Sequence, residues 1–175
     1  MVNQDATSLR TEQAWEVLRT VADPEIPVLS VCDLGIVREV CEGENGSLEV
    51  VLTPTYSGCP ATELIERSVA EALNAASLGP VRTSTRLAPA WSTDWISADG
   101  LRKMQEYGIA PPHTQTAATD GLAPIRIVRA ADRPLICPHC GSADTEQLSR
   151  FGSTACKALW RCRACREPFE HFKPI

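Results

Sequence analysis

Cys137-Pro138-His139-Cys140 and Cys162-Arg163-Ala164-Cys165 are two C-x-x-C pairs with 21 residues between them. The gap lies one residue beyond the common window for a four-cysteine zinc site, a small departure when the intervening residues form a hairpin. Each pair turns tightly enough to offer two thiolates to one ion, and four thiolates close a tetrahedral zinc shell. A module of about 40 residues has too little core to fold unaided, so a metal there supplies folding energy. The alternatives are separate redox pairs or loose core cysteines. Zinc is favoured over a single iron by availability. With Cys137, Cys140, Cys162 and Cys165 in place, His139 and His171 are not needed as ligands, and Cys156 reads as core.

A second candidate is Cys59, in the run T-P-T-Y-S-G-C-P-A from Thr53 to Ala61. The pattern predicts a strand ending before it and a helix starting at Pro60, a position where a missing N–H costs nothing. Cys59 is then the N-cap, its sulfur beside free backbone N–H groups and the positive end of the helix dipole. That setting favours a thiolate able to attack or to hold a soft metal. Gly58 leaves space beside it for a metal or another protein. The competing reading is a small buried hydrophobe closing a loop.

Composition narrows the classes. The chain has 175 residues, 43% hydrophobic and 22% charged, as in an ordinary globular protein. No run approaches the roughly 18 apolar residues that span a bilayer. The first ten residues lack the apolar core of a signal peptide. A cytoplasmic address is expected, where eight cysteines mean metal or reactive thiols rather than disulfides. Residues 1–134 hold 11 basic and 18 acidic groups, and residues 135–175 hold 6 and 4. The overall charge of −5 argues against general affinity for nucleic-acid phosphates.

The elements that must position these residues read as follows. Thr11 to Ala22 has helical periodicity, with Ala14, Trp15, Leu18, Val21 and Ala22 on one stripe and Thr11 as N-cap. Asp23-Pro24 ends it. Asp23 to Val37 is irregular, with Asp23, Glu25 and Asp33 as carboxylates for turn capping or for a functional edge near Cys59. Gly35 permits a tight turn into a strand. Ile36–Glu42 and Ser47–Thr53 form a hairpin around Glu44-Asn45-Gly46. Cys32 reads as packing and Cys41 as incidental.

Ala61 to Ser77 is the clearest helix, stopped by Gly79-Pro80. Val81 to Ala90 returns as a strand, and Ala98 to Tyr107 is a helix capped by Ser97 or Asp99. Trp91 and Trp95 plug the core or, alternatively, face a partner. The result is an α+β architecture: a compact helix-hairpin-helix-strand-helix domain over residues 1–110, a Pro/Ala/Thr-rich linker over 111–134, and a small four-cysteine zinc ribbon over 135–175. His113 lies in the linker, and Ile125 to Arg129 is a candidate short strand.

These motifs resemble a known arrangement. D-P-E-I-P-V-L-S-V-C-D-L-G-I-V, the hairpin and T-P-T-Y-S-G-C-P-A look like a SufT-like iron–sulfur assembly domain. C-P-H-C-G-S, F-G-S-T-A-C-K-A, C-R-A-C and E-P-F-E-H-F-K look like the PaaD family of bacterial phenylacetate degradation. The resemblance covers nearly the whole chain. It implies a role supporting the multicomponent phenylacetyl-CoA epoxidase, whose oxygenase carries a di-iron centre and whose reductase carries a [2Fe–2S] cluster and a flavin. It makes Cys59 the cluster-handling cysteine, Asp23 and Glu25 the acidic signature, and Cys137, Cys140, Cys162 and Cys165 the ribbon ligands.

The leading expectation is an assembly or delivery factor that is not itself catalytic. It would hold a transient iron–sulfur cluster or iron at Cys59 and a structural zinc in the ribbon. One thiolate cannot satisfy a cluster that wants about four ligands, so Cys59 of a second subunit is a candidate partner in a homodimer. Oxygenase and reductase components are the expected clients, with no nucleic acid or membrane. The alternative is a structural adaptor of the oxygenase that docks through Trp91 and Trp95. A nucleic-acid-binding ribbon using Arg161, Arg163 and Arg166 is disfavoured by the acidic main domain and the lack of interleaved aromatics.

Overall fold

The computed structural model of the chain describes residues 4–112 and 135–175. The candidate strand at Ile125–Arg129 and His113 lie outside them. Two compact units emerge, Met1–Lys103 with Ile175, and Met104–Pro174. No helix among the described residues is long and apolar enough to cross a membrane.

In the first unit, α1 (Gln4–Leu18) precedes β1 (Val37–Glu42), β2 (Leu48–Leu52), α2 (Thr62–Ala75) and β3 (Val81–Thr85). The expected hairpin is present. β1 and β2 pair antiparallel, and the turn places Asn45 and Gly46 at φ 60° and 71°, the left-handed region that these residues tolerate. Beyond β2 the chain crosses over through α2 and returns β3 parallel to β2. The sheet order is therefore β1-β2-β3. α1 lies against β1 and α2, and α2 lies against β3. Leu48, Val50 and Leu52 of β2, Ala14 and Leu18 of α1, and Ile65, Val69 and Leu73 of α2 are all buried and form the core.

Long-range bonds shift several boundaries from the periodicity. α1 starts seven residues before Thr11 and stops at Leu18 rather than Ala22. Past Leu18 the chain is pulled into a closed loop: Asp23 N–H donates to Leu29 C=O, Val31 N–H to Val21 C=O, and Ala22 bridges Ser30. Ala22 is exposed and Trp15 only half-buried, so neither is the core residue expected. The Arg10 guanidinium clamps this unit, donating to Gly46 C=O at 2.8 Å and Leu78 C=O at 2.7 Å.

α2 ends in a Schellman arrangement. Ser77 takes φ 60°, its N–H reaches Asn74 C=O, and Leu78 N–H reaches Leu73 C=O. β3 stops at Thr85, not Ala90, because its partner β2 ends at Leu52, to which Arg86 N–H makes the last bond. Leu87 is exposed as a result.

Gly35 closes the loop before β1. It takes φ +65°, and a Cβ there would sit 2.4 Å from the Trp95 carbonyl oxygen, so only glycine fits. Trp91 is buried and donates its indole N–H to Leu34 C=O at 2.9 Å, the plug reading. Trp95 is half-buried under the Arg38 guanidinium, 3.5 Å from its ring centroid. α3 (Ala98–Glu106) is capped by Ser97, whose Oγ accepts Gly100 N–H.

In the second unit, β4 (Ile109–Ala110), β5 (Thr145–Ser149), β6 (Lys157–Cys162) and β7 (Pro168–Phe172) form a sheet ordered β4-β7-β6-β5. β5 and β6 are the hairpin that carries the chain from the first C-x-x-C pair to the second. β4 pairs parallel with β7, a contact that two residues cannot announce in a sequence. The small core holds Ala110, Leu135, Cys137, Cys162 and Phe169, with Trp160 and Cys165 packed against it.

Candidate metal centre and the Cys59 turn

The ribbon brings together the four cysteines that the spacing singled out. Their sulfurs all lie within 4.8 Å of one another, with Cys137 and Cys165 at 3.8 Å and Cys140 and Cys162 at 3.5 Å. Four sulfurs held about 2.3 Å from one zinc at tetrahedral angles stand about 3.8 Å apart, so the two measured pairs are close to that spacing and the set can close on one ion with small adjustments. Two of the four, Cys137 and Cys162, are themselves core residues.

Each knuckle is built by its backbone. Gly141 N–H donates to Cys137 C=O and Cys137 N–H to Ser142 C=O, while Cys162 N–H donates to Glu167 C=O. Other amides turn toward sulfur. The N–H of Cys165 draws the Cys162 thiol down to about 7. Cys165, although lowered by the Glu167 N–H, is pushed up to about 12 by burial and its sulfur neighbours. Thiols this close resist joint ionisation, and a divalent cation removes that resistance.

Both knuckles need a left-handed residue straight after their second cysteine. The first supplies Gly141 at φ 74°, and the second supplies Arg166 at φ 68°. The parallel between C-P-H-C-G and C-R-A-C-R is the sequence signal for this strain. Arg166→Gly is expected to raise the stability of the zinc-loaded ribbon by about 1 kcal/mol, read as a higher denaturant midpoint. A lower midpoint would mean that the arginine side chain contributes more than its backbone costs.

Arg161, Arg163 and Arg166 line a cleft of about 240 Å³ beside Cys162. Arg161 and Arg163 are paired with Glu146, and Arg163 also faces Asp144 at 3.7 Å. Arg161 and Arg163 are thus engaged by acidic partners, which weakens the nucleic-acid reading further. The His139 ring lies against Gly108, and His171 is buried edge-on to Trp160. Neither belongs to the four-sulfur group. Cys156 is buried, its sulfur 3.0 Å from Thr154 Oγ1.

Cys59 sits differently from the expectation. α2 begins at Thr62 with Ala61 as N-cap and no side-chain cap, so Cys59 is not the cap. It lies in a preceding turn. Its N–H donates to Tyr56 C=O, and its carbonyl accepts both the Thr62 N–H and the Thr62 hydroxyl. A thiol is a weak acceptor, and no side chain caps the first turn of α2. Cys59 is half-exposed. Gly58 has no positive φ, and a Cβ on it would meet only the Tyr56 ring at 3.7 Å. The fold therefore does not require glycine there, and the surface beside Cys59 is open.

Asp23 is buried and its Oδ1 accepts the N–H groups of Glu25 and Ile26, the turn-capping chemistry. Glu25 is exposed. Asp33 is a hub that sequence reasoning left undeveloped. Its carboxylate accepts Ser30 N–H, Ser97 hydroxyl and Lys103 ammonium; burial works to raise its pKa, but Lys103 and Ser30 outweigh it and hold the carboxyl below the usual range. Among the described residues, only the four ribbon cysteines form a group of three or more donors close enough for one ion. Cys59, Asp23 and Glu25 do not. Burial pushes the Cys32 thiol up to about 11, and Cys41 is raised by burial and the nearby Glu39 and Glu49.

Topology does gather these segments. Val37, where β1 begins, pairs with Leu52, where β2 ends, so the acidic loop and the Cys59 turn leave the sheet at the same end. Trp91 and Trp95 close against Leu34 and Gly35 there.

Comparison with known proteins agrees with this division. Residues 123–173 match the PaaD zinc beta ribbon domain, and residues 11–84 match the iron-sulfur cluster assembly protein family. An Escherichia coli (strain K12) protein, by name one of the subunits of a "Putative 1,2-phenylacetyl-CoA epoxidase", is 43% identical over 95% of this chain and 94% of its own. A Porphyromonas gingivalis protein named "Fe-S protein maturation auxiliary factor" is 34% identical over 55% of this chain and 92% of its own. A solved domain of unknown function, DUF59, from Bacillus anthracis shares the fold at TM-score 0.54 and 24% identity, covering 58% of this chain and 97% of that one. The chain belongs to the PaaD family.

Proposed function

We propose that this PaaD-family chain is an accessory protein of a phenylacetyl-CoA epoxidase system. It delivers iron–sulfur clusters or iron to the oxygenase or reductase components and does not itself turn over substrate. The observation that carries the reading is the union, in one chain, of an iron–sulfur assembly domain and a PaaD ribbon, with Cys59 half-exposed on an open turn.

The turn is set by backbone bonds to Tyr56 and Thr62, which leave the sulfur out of its scaffolding. Deprotonated, Cys59 can take one iron of a cargo cluster. A single protein thiolate leaves the remaining sites to other ligands, and so the cargo can leave again. Gly58 lets a client approach the sulfur closely. Cys137, Cys140, Cys162 and Cys165 would hold a zinc that serves the ribbon's fold. The adaptor alternative loses part of its basis, because Trp91 is in the core.

Cys59→Ser tests the reading. The variant is expected to keep its fold and one zinc per chain. The iron and sulfide content of the client reductase, matured in the same cells, falls to the level seen without the protein. A reductase with its full cluster in that strain overturns the proposal, and stable co-purification of the variant with the oxygenase would then favour the adaptor.

A further inference from the structure

The two sheets have four outer strands: β1 and β3 in one, β4 and β5 in the other. Open strand edges are templates for pairing, and proteins blunt them with bulges, charges, prolines or brevity. β1 is bulged at Arg38 and carries Glu39 and Glu42. β4 has two residues and runs into Pro111-Pro112. β5 is bulged at Leu148. β3, Val81-Arg82-Thr83-Ser84-Thr85, has no bulge and no proline, and its register with β2 is unbroken. Its one charge, Arg82, stands beside Glu49 of β2.

The ladder also fixes which groups face outward. Leu48 N–H donates to Pro80 C=O and Arg86 N–H to Leu52 C=O, each at 2.8 Å. Even-numbered residues of β3 therefore bond to β2, and Val81, Thr83 and Thr85 aim their N–H and C=O at the open edge. No other strand among the described residues pairs there.

We infer that a second copy of this chain pairs on this edge, β3 against β3, antiparallel about a two-fold axis through Thr83. The strand is self-complementary in that register. Thr83 meets the partner's Thr83, Val81 meets the partner's Thr85, and Arg82 meets the partner's Ser84. No like charges oppose, and β-branched pairs meet across the axis, which favours pairing. Three residues per strand exchange about six backbone hydrogen bonds, and the two-fold closes the assembly at a dimer.

The contact is far smaller than the roughly 800 Å² per partner of a standard interface, so the dimer is weak and concentration-dependent. Because β2 and β3 both finish at the Cys59 end, the two-fold sets the two Cys59 turns at opposite ends of a six-stranded sheet. This pairing is thus independent of cluster handling and does not join two Cys59 sulfurs.

The test uses the zinc-loaded, reduced full chain. Sedimentation velocity from micromolar to near-millimolar concentration is expected to show a monomer–dimer equilibrium. Residue-resolved amide exchange is expected to gain protection on the order of tenfold at Val81, Thr83 and Thr85 as concentration rises, while Arg82 and Ser84 stay protected throughout. Thr83→Pro removes an outward N–H without taking a bond from β2, a substitution edge strands tolerate, and should be monomeric with its β1–β2 amide protection intact, whereas Thr83→Val and Cys59→Ser should still dimerise. A wild type monomeric at all concentrations overturns the inference. So does a dimer that survives Thr83→Pro, a dimer lost in Cys59→Ser, or alternate amides protected even on dilution, which would mean the edge is already covered within one chain.

Discussion

Cys162→Ser is expected to unfold the ribbon and abolish zinc binding, while the Met1–Lys103 unit keeps its helices and sheet. The sulfur of Cys162 belongs to the four-donor group, and its side chain is also fully buried in the ribbon's core. Of the five residues at that core's centre, two belong to the four-cysteine group, so a ribbon without a metal there has little apolar surface to hold the sheet. Structural zinc contributes roughly 10–16 kcal/mol in comparable small modules, more than a sheet of this size can supply otherwise. A strong chelator should do to the wild type what the substitution does. Amide exchange would show protection lost from β5, β6 and β7 and retained in β1 and β2. A ribbon that keeps its protection in excess chelator would refute a structural role for the metal. The first unit has its own core of Leu18, Leu48, Val50, Val69 and Leu73, which contains no ligand.

Glu170→Gln is expected to destabilise the ribbon by about 3 kcal/mol at neutral pH, the next largest effect. Lys157 is buried, its side chain only 4% exposed, and its ammonium meets Glu170 Oε2 at 2.7 Å. Glu170 also accepts the Ser153 N–H. Removing one partner of a buried pair leaves an uncompensated charge and costs about 3–5 kcal/mol, and partial exposure of Glu170 places this case at the lower end. Lys157→Met combined with Glu170→Gln should recover much of the loss, since the charge goes as well.

The pH dependence follows from the shift on Glu170. Burial works to raise its pKa, but the Lys157 ammonium and Ser153 outweigh it and hold the carboxyl below the usual range. With the folded value depressed, its contribution is complete above the unfolded value of about 4.3 and is lost as pH falls through the folded value. The gap in denaturant midpoint between wild type and Glu170→Gln should therefore be constant near neutrality and narrow in acid. A gap that stays constant into strong acid would show that the ion pair is not its source.

What the sequence determined by itself was whatever depends on short spacing and fixed chemistry. Two C-x-x-C pairs at this spacing can close on one ion, so the four cysteines that the ribbon gathers were legible. Asn45-Gly46 dictated a hairpin because few other residues accept two successive left-handed conformations. The 3.6-residue period of Ile65, Val69 and Leu73 announced α2 and its buried face.

Tertiary structure decided where competing partners lay far apart in the chain. Whether α1 runs to Ala22 depended on Val31 and Ser30, which capture Val21 and Ala22 instead. Whether Cys59 caps α2 hinged on the turn from Tyr56 to Thr62, which holds Cys59 by its backbone and leaves Ala61 at the cap. The parallel return of β3 and the docking of β4 on β7 rest on backbone bonds that no local pattern encodes. Trp91 and Trp95 look alike in the sequence. Only the closed loop at Leu34 and Gly35 sends one indole inward to a carbonyl and leaves the other beneath Arg38.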